Sequence, residues 1–181
     1  IPFFLFYYEK HLMYRLKKAW GIANLKRIKN RGNNVKVMGY TRFLDPDKIV
    51  IGNNVRIGYG CFLFGKGGIH IGDNTILSRN ITIYSSNHNY LGEMLPYDAT
   101  YIHKPVIIGK NVWIGMGVSI TPGVVIGDGA IIGMGSVISK NIEIGEIIVG
   151  YGQRKIAARD MIKYQYNLDQ NSIYSVKYPD S

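Results

Sequence analysis

IGKNVWIGMGVSITPGVVIGDGAIIGMGSVISKNIEIGEIIVG, residues 108–150, carries isoleucine at every sixth position: Ile108, Ile114, Ile120, Ile126, Ile132, Ile138 and Ile144. The next position in each hexad is small, with Gly109, Gly115, Thr121, Gly127, Gly133, Ser139 and Gly145. Four positions after each isoleucine stand Val112, Val118, Val124, Ala130, Ser136, Ile142 and Ile148. Residues six apart on an α-helix lie about 240° apart, which would smear the isoleucines around its surface. A hairpin strand alternates with period two and leaves a six-residue glycine period unexplained. The pattern predicts a solenoid of short strands and tight corners, with isoleucine pointing inward and a small residue at the corner.

The same register extends backwards. Ile51, Ile57 and Leu63 are its first clear inward positions, with Val55 and Cys61 between them, and Ile71, Leu77 and Ile83 resume it with Thr75 and Ile81. Between Leu63 and Ile71 the step is eight, which predicts a bulge at Gly65 to Gly68. The solenoid is expected to start near Val35 or Ile49 and to occupy residues 35–150, behind a helical, basic segment 1–34 and ahead of a C-terminal segment 151–181. Cys61 is the single cysteine, so no internal disulfide or cysteine cluster is available. It reads as a packed corner residue.

Gly makes up 22 of 181 residues, well above the usual share of about 7%, as a chain of corners requires. Residues 1–48 hold eleven Lys and Arg against three acidic residues, giving +8 of the net +10. Residues 3–20 read as a helix broken at Gly21, with Leu5, Leu12, Leu16 and Ala19 on a broad apolar face. Two roles suit it: a cap on the solenoid end, or a peripheral membrane contact through residues 3–31, opened by Phe3, Phe4, Phe6, Tyr7 and Tyr8. No apolar run approaches the roughly 20 residues of a membrane span, so a cytoplasmic protein is expected, at most peripheral at the inner membrane face. No nucleic-acid module is present, and no nucleic-acid partner is expected.

From residue 84 to 105 the period vanishes. SSNHNYLGEMLPYDATYIHK, residues 85–104, is polar and aromatic, and so long an irregular insertion in a regular fold is a candidate functional loop. It contains His88, and imidazole is suited to proton transfer near neutral pH. After Gly150 the repeat stops, and residues 154–166 read as a short helix with Ala157, Met161 and Tyr164 on one side.

IGDNTILSRNITIYSSNH, residues 71–88, and the Trp-Ile-Gly segment at 113–115 closely resemble the hexapeptide-repeat acyltransferases of the left-handed parallel β-helix type. The branch with galactoside, maltose, xenobiotic and capsular-polysaccharide acetyltransferases is the most similar. The resemblance implies an all-β solenoid of left hand and a homotrimer whose acetyl-CoA groove lies between neighbouring solenoids. It implies His88 as the general base of direct transfer from acetyl-CoA to a sugar hydroxyl of a bacterial capsule or lipopolysaccharide, or of a lipid-linked or other precursor, and no metal. Asn87, Asn89 and the stretch 56–62 are candidates for orienting the imidazole.

Carried over position by position, Trp113 and Gly115 would border the pantetheine arm, and the Met116 N–H would hold the thioester oxygen. Met134 would line the arm, with Ser139 and Lys140 near its far end. Arg154 and Lys155, with Arg159, would meet the 3′-phosphate. The usual Gly-x-Pro-Ala corner reads Gly150-Tyr151-Gly152-Gln153 here. For the acceptor, Tyr84, Asn87, Asn89, Tyr90, Tyr97 and Tyr101 offer aromatic faces and amides. N-acetylation of an amino sugar would use the same base, and xenobiotic acetylation shares the Asn-His pair. Two other classes share the solenoid: a γ-type carbonic anhydrase, for which His70, His88 and His103 are available at unmatched spacings, and a non-catalytic glycan-binding solenoid.

Overall fold

A computed structural model describes residues 2–178, with side chains from residue 11 onward. The hexads close into a parallel β-solenoid with three sheet faces. The first face stacks Lys36–Val37, Arg56–Ile57, Ile76–Leu77, Trp113–Ile114, Ile131–Ile132 and Glu146–Val149. The second stacks Arg42–Leu44, Phe62–Phe64, Thr82–Tyr84, Ser119–Ile120 and Val137–Ile138. The third stacks Ile49–Ile51, Ile69–Ile71, Val106–Ile108 and Val125–Ile126.

Stacking puts like on like. Val37, Ile57, Leu77, Ile114, Ile132 and Ile148 form one inward column, and Phe43, Leu63, Ile83, Ile120 and Ile138 form another, all buried. Each such side chain contributes roughly 1.5–3 kcal/mol of burial. Val55, Cys61, Thr75, Ile81, Val112 and Val118 fill the corners between them, also buried. Cys61 sits there as expected: its Sγ donates to the Ser78 carbonyl at 3.2 Å, and burial pushes its thiol up to about 11.

Coil length is not constant. Val37, Ile57 and Leu77 are spaced by 20 residues, Ile114 and Ile132 by 18, and Ile132 and Ile148 by 16. The two extra residues of the early coils lie at the corner from the second face to the third. Pro46–Lys48 forms a 3₁₀ turn there in one coil, and Gly65–Gly68 forms the expected bulge in the next. The two residues missing from the last coil correct the reading of Ile144. Ile126 bridges to Ile142 instead, so Ile142 turns inward and Ile144 is 61% exposed.

The corner from the third face to the first carries an asparagine ladder. Asn34 donates to Asn54, Asn54 to Asn74 and Asn74 to Asn111, at 3.0, 2.9 and 3.2 Å. All four have left-handed backbone, which asparagine tolerates better than most residues. Asn111 ends the ladder on the Tyr164 hydroxyl at 2.9 Å. The next rung is Gly129, where a Cβ would meet the Tyr164 ring at 2.8 Å.

At the N-terminus the helix α1, Pro2–Lys26, runs through Gly21 and ends five residues later. Gly21 is a contact point: a Cβ there would collide with the Gly39 carbonyl oxygen. Leu25 and, just past the helix, Ile28 are buried against the first coil, so the end of α1 caps the solenoid. The side chains of Phe3, Phe4, Phe6, Tyr7 and Tyr8 lie outside those described.

At the C-terminus a helix is present but starts later than the sequence suggested. Arg154–Ala158 is a strand, antiparallel to Glu146–Val149. The helix α2, Met161–Asp169, begins only at Asp160, whose carboxylate accepts from the N–H groups of Ile162 and Lys163. A four-residue helix, α3, follows at Tyr174–Lys177. Met161 and Tyr164 face the solenoid at Gly145 and Gly129, while Ala157 belongs to the strand. Among the described residues no helix is long and apolar enough to cross a membrane.

Candidate active site

The irregular loop leaves the solenoid at the corner that already carries the extra residues. Ser86–His88 and Tyr101–His103 close its base as an antiparallel pair, with His88 opposite Tyr101. Two buried serines anchor that base. Ser85 Oγ donates to the Phe64 carbonyl and accepts from Gly67 N–H, at 2.7 and 2.9 Å, and Ser86 Oγ lies 2.9 Å from His103 Nδ1.

His88 is clasped by aromatic rings. Tyr97 stacks on it at 3.9 Å between centroids, and Tyr101 lies at 4.8 Å, tilted by 33°. Its Nδ1 is buried and has no hydrogen-bond partner among the described residues. Asn87 and Asn89 do not supply one. Asn87 Oδ1 accepts from the His88 backbone N–H, and Asn89 bonds Thr100 and the Leu91 N–H within the loop.

Of the expected acceptor residues, Tyr97 and Tyr101 therefore gather at His88. Tyr84 sits instead on the outer side of the second face beside Phe62 and Phe64, and Tyr90 is 65% exposed. Just beyond its base the loop is braced by Asp98, which accepts from the hydroxyl and the N–H of Thr100. These bonds, the hydroxyl's first, hold the Asp98 carboxyl below the usual carboxylate range.

A second group lies elsewhere. Trp113 projects from the outer side of the first face, half exposed, with its Nε1–H directed at Ser78 Oγ, 3.4 Å away. Met116 and Met134 follow at the corner from the first face to the second, one above the other, and both are exposed. Gly115 permits this stacking, because a Cβ there would lie 2.7 Å from the Met134 nitrogen. The Met116 carbonyl accepts from Gly135 N–H at 2.8 Å, while the Met116 N–H meets no acceptor among the described residues. Trp113 also edges a cleft of about 340 Å³ under α2, lined by Asn74, Asn111, Lys163 and Tyr174 among others.

The far-end residues are held by partners within the chain. The N–H groups of Ser139 and Lys140 both donate to Gln153 Oε1, at 3.1 and 2.9 Å. Lys155 pairs with Glu146 at 2.7 Å, a contact that holds the Glu146 carboxyl below its ordinary range. Arg159 Nε donates to the Gly129 carbonyl at 2.6 Å, and Arg154 is exposed.

Sequence reasoning passed over Lys66, whose ammonium lies 3.5 Å from the centre of the Tyr101 ring, and Gln153. The serine pair before His88, polar residues at a break in an apolar period, was the available signal. Among the described residues no three of His, Cys, Asp and Glu converge to hold a metal ion, so His70, His88 and His103 do not meet within one chain.

The His88 cluster and the Trp113–Met116–Met134 group occupy different corners. The full second face separates them, about 15 Å at roughly 3.3 Å per extended residue.

The family model described as bacterial transferase hexapeptide (six repeats) matches residues 105–140, and that of the hexapeptide repeat of succinyl-transferase matches residues 48–85. A maltose O-acetyltransferase from Clostridium difficile 630 is 34% identical over 75% of this chain and 73% of its own, with a TM-score of 0.62. A galactoside acetyltransferase solved with coenzyme A is 26% identical over 83% and 84%, with a TM-score of 0.68. The dTDP-4-amino-4,6-dideoxy-D-glucose acyltransferase of Escherichia coli is 34% identical over 46% of this chain. The match spans 58% of that curated relative's length.

Proposed function

Because the chain belongs to the hexapeptide-repeat acyltransferase family, we propose that it transfers an acetyl group from acetyl-CoA to a sugar hydroxyl. The acceptor would be a bacterial surface polysaccharide, capsule or lipopolysaccharide, or its precursor. Use of acetyl-CoA sets the reaction on the cytoplasmic side. The observation that carries the reading is His88, held between Tyr97 and Tyr101 at the mouth of the loop.

In this reading the imidazole takes the hydroxyl proton as the acceptor oxygen attacks the thioester carbon. The free N–H of Met116 stabilises the oxyanion that forms. Collapse breaks the C–S bond, and the proton passes from His88 to the departing thiolate. Trp113, Gly115 and Met134 border the donor, with Ser139, Lys140, Arg154 and Lys155 towards its far end. Tyr97 and Tyr101 face the acceptor, with Tyr84, Asn87, Asn89 and Tyr90 along its approach.

Base and donor groups stand at different corners of one chain, so a complete site needs the His88 corner of one copy against the Trp113 corner of the next. A closed three-fold ring satisfies this for every copy at once.

Acetyl-CoA titrated calorimetrically tests the reading without knowledge of the acceptor. Binding is expected in the wild type and in His88→Ala, and is expected to weaken about tenfold or more in Trp113→Ala. No binding at millimolar donor would overturn it.

Transfer to an amine is the second reading, favoured by the similarity to an amino-sugar acyltransferase. A nucleotide-linked 4-amino sugar accepted in place of its 4-hydroxy analogue would establish it.

A further inference from the structure

We infer that α1 is an interfacial helix that docks the protein on an anionic lipid surface. The solenoid holds the last part of the helix, from Lys17, whose ammonium lies 5.9 Å from the centre of the Tyr59 ring, to Leu25. Gly21, Asn24 and Leu25 are buried, whereas every residue from 11 to 20 is exposed. Helical spacing puts Leu12, Leu16, Ala19 and Ala23 on one face, opposite Gly21 and Leu25 and therefore away from the coils. Leu12 and Leu16 are 46% and 53% exposed. Met13 and Trp20 extend this face on one flank, and Trp20 is also stacked on Tyr40 at 4.3 Å. Arg15 and Lys26 line the other flank. A helix with an apolar face, cations along one flank and a tryptophan on the other suits the plane of a bilayer, with side chains at headgroup and acyl depth.

Charge selects the occupant. Residues 10–44 hold ten Lys and Arg and no Asp or Glu. Two copies meeting through this surface would bring like charges together, with little but Glu9 of the helix and Asp47, paired with Lys29 at 3.6 Å, to offset them. Anionic headgroups supply the missing negative charge, and each cation near such a surface adds to the attraction. Nucleic acid would neutralise the cations but leave Leu12 and Leu16 without an apolar environment.

The test is co-flotation with vesicles of phosphatidylcholine containing one quarter phosphatidylglycerol, and with phosphatidylcholine alone. The wild-type chain is expected to float with the anionic vesicles and to partition at least tenfold less onto neutral ones. A Leu12→Glu/Leu16→Glu variant should lose that binding while keeping its melting temperature and oligomeric mass. Arg15→Glu/Lys18→Glu should lose it as well. In a Trp113→Phe background, Trp20 emission should shift to the blue on adding anionic vesicles, which reads docking without altering α1. Equal partitioning onto both vesicles, absence of binding, or a change of oligomeric mass in the leucine variant would each overturn the inference.

Discussion

The imidazole of His88 lies on the phenol ring of Tyr97 with centroids 3.9 Å apart and planes 18° from parallel. Tyr97 belongs to the far limb of the loop, so this contact fastens the insertion over the histidine. Such a pair is worth about 0.5–1.5 kcal/mol. Tyr97→Leu is expected to lower kcat up to about tenfold while leaving acetyl-CoA affinity unchanged, and Tyr97→Phe to retain most of the rate. Equal rates for all three proteins would remove Tyr97 from the site.

The proposed sharing of one site between two copies has a numerical signature. Trimers assembled at random from equal amounts of His88→Ala and Trp113→Ala chains should recover about a quarter of the wild-type turnover, because one interface in four pairs two intact corners. At a donor concentration well below the weakened Kd of Trp113→Ala, each parent alone should turn over at about a tenth of the wild-type rate or less. A mixture no better than its parents would place the whole site within one chain.

Two isoleucines with the same apparent period should respond oppositely. Ile120 is 2% exposed and Ile144 is 61% exposed. Ile120→Asp buries an unpaired carboxylate, at a cost of more than about 4 kcal/mol, and should prevent folding. Ile144→Asp should change stability by less than about 0.5 kcal/mol in urea denaturation.

The asparagine ladder separates backbone from side-chain effects at one position. Asn74 has φ 60° and bonds Asn54 and Asn111. Asn74→Gly keeps the backbone and loses the two bonds, whereas Asn74→Ala also incurs left-handed strain of about 1–2 kcal/mol. Urea midpoints should fall in the order wild type, Gly, Ala.

Acid should loosen the last hairpin first. The bond from Lys155 holds Glu146 below its ordinary carboxyl range. The folded state therefore binds this proton less readily than the unfolded state. The stabilisation is complete above the ordinary glutamate value of about 4.3 and is lost as pH falls through the lower folded value. Protection of the amides of residues 146–158, taken relative to their intrinsic exchange rates, should fall across that window in the wild type, and Glu146→Gln should abolish this pH response.

The core was legible because stacked strands repeat one physical demand, an apolar side chain at each inward site. That demand shows in the spacing from Ile51 to Ile138. It misled at Ile144, where the shortened coil depends on pairing with Ile126, which the local sequence does not display. Gly21 misled in the same way: its purpose is clearance for Gly39, a partner across space. His88, Tyr97 and Tyr101 stood out as a polar, aromatic interruption. Lys66 and Gln153 did not, since their contacts join segments whose alignment follows only from the closed coils.

The corner that carries the loop is the same corner that absorbs the Pro46–Lys48 turn and the Gly65–Gly68 bulge. From Ile83 to Ile108 the chain spends 25 residues where Ile120 to Ile126 spends six, yet Ile71, Ile108 and Ile126 stay in one column. That corner is a splice point. Loops of other lengths can be grafted between Tyr84 and Val106 with the inner columns untouched, so the insertion can diverge, in nature or in the laboratory, independently of the scaffold that supports it.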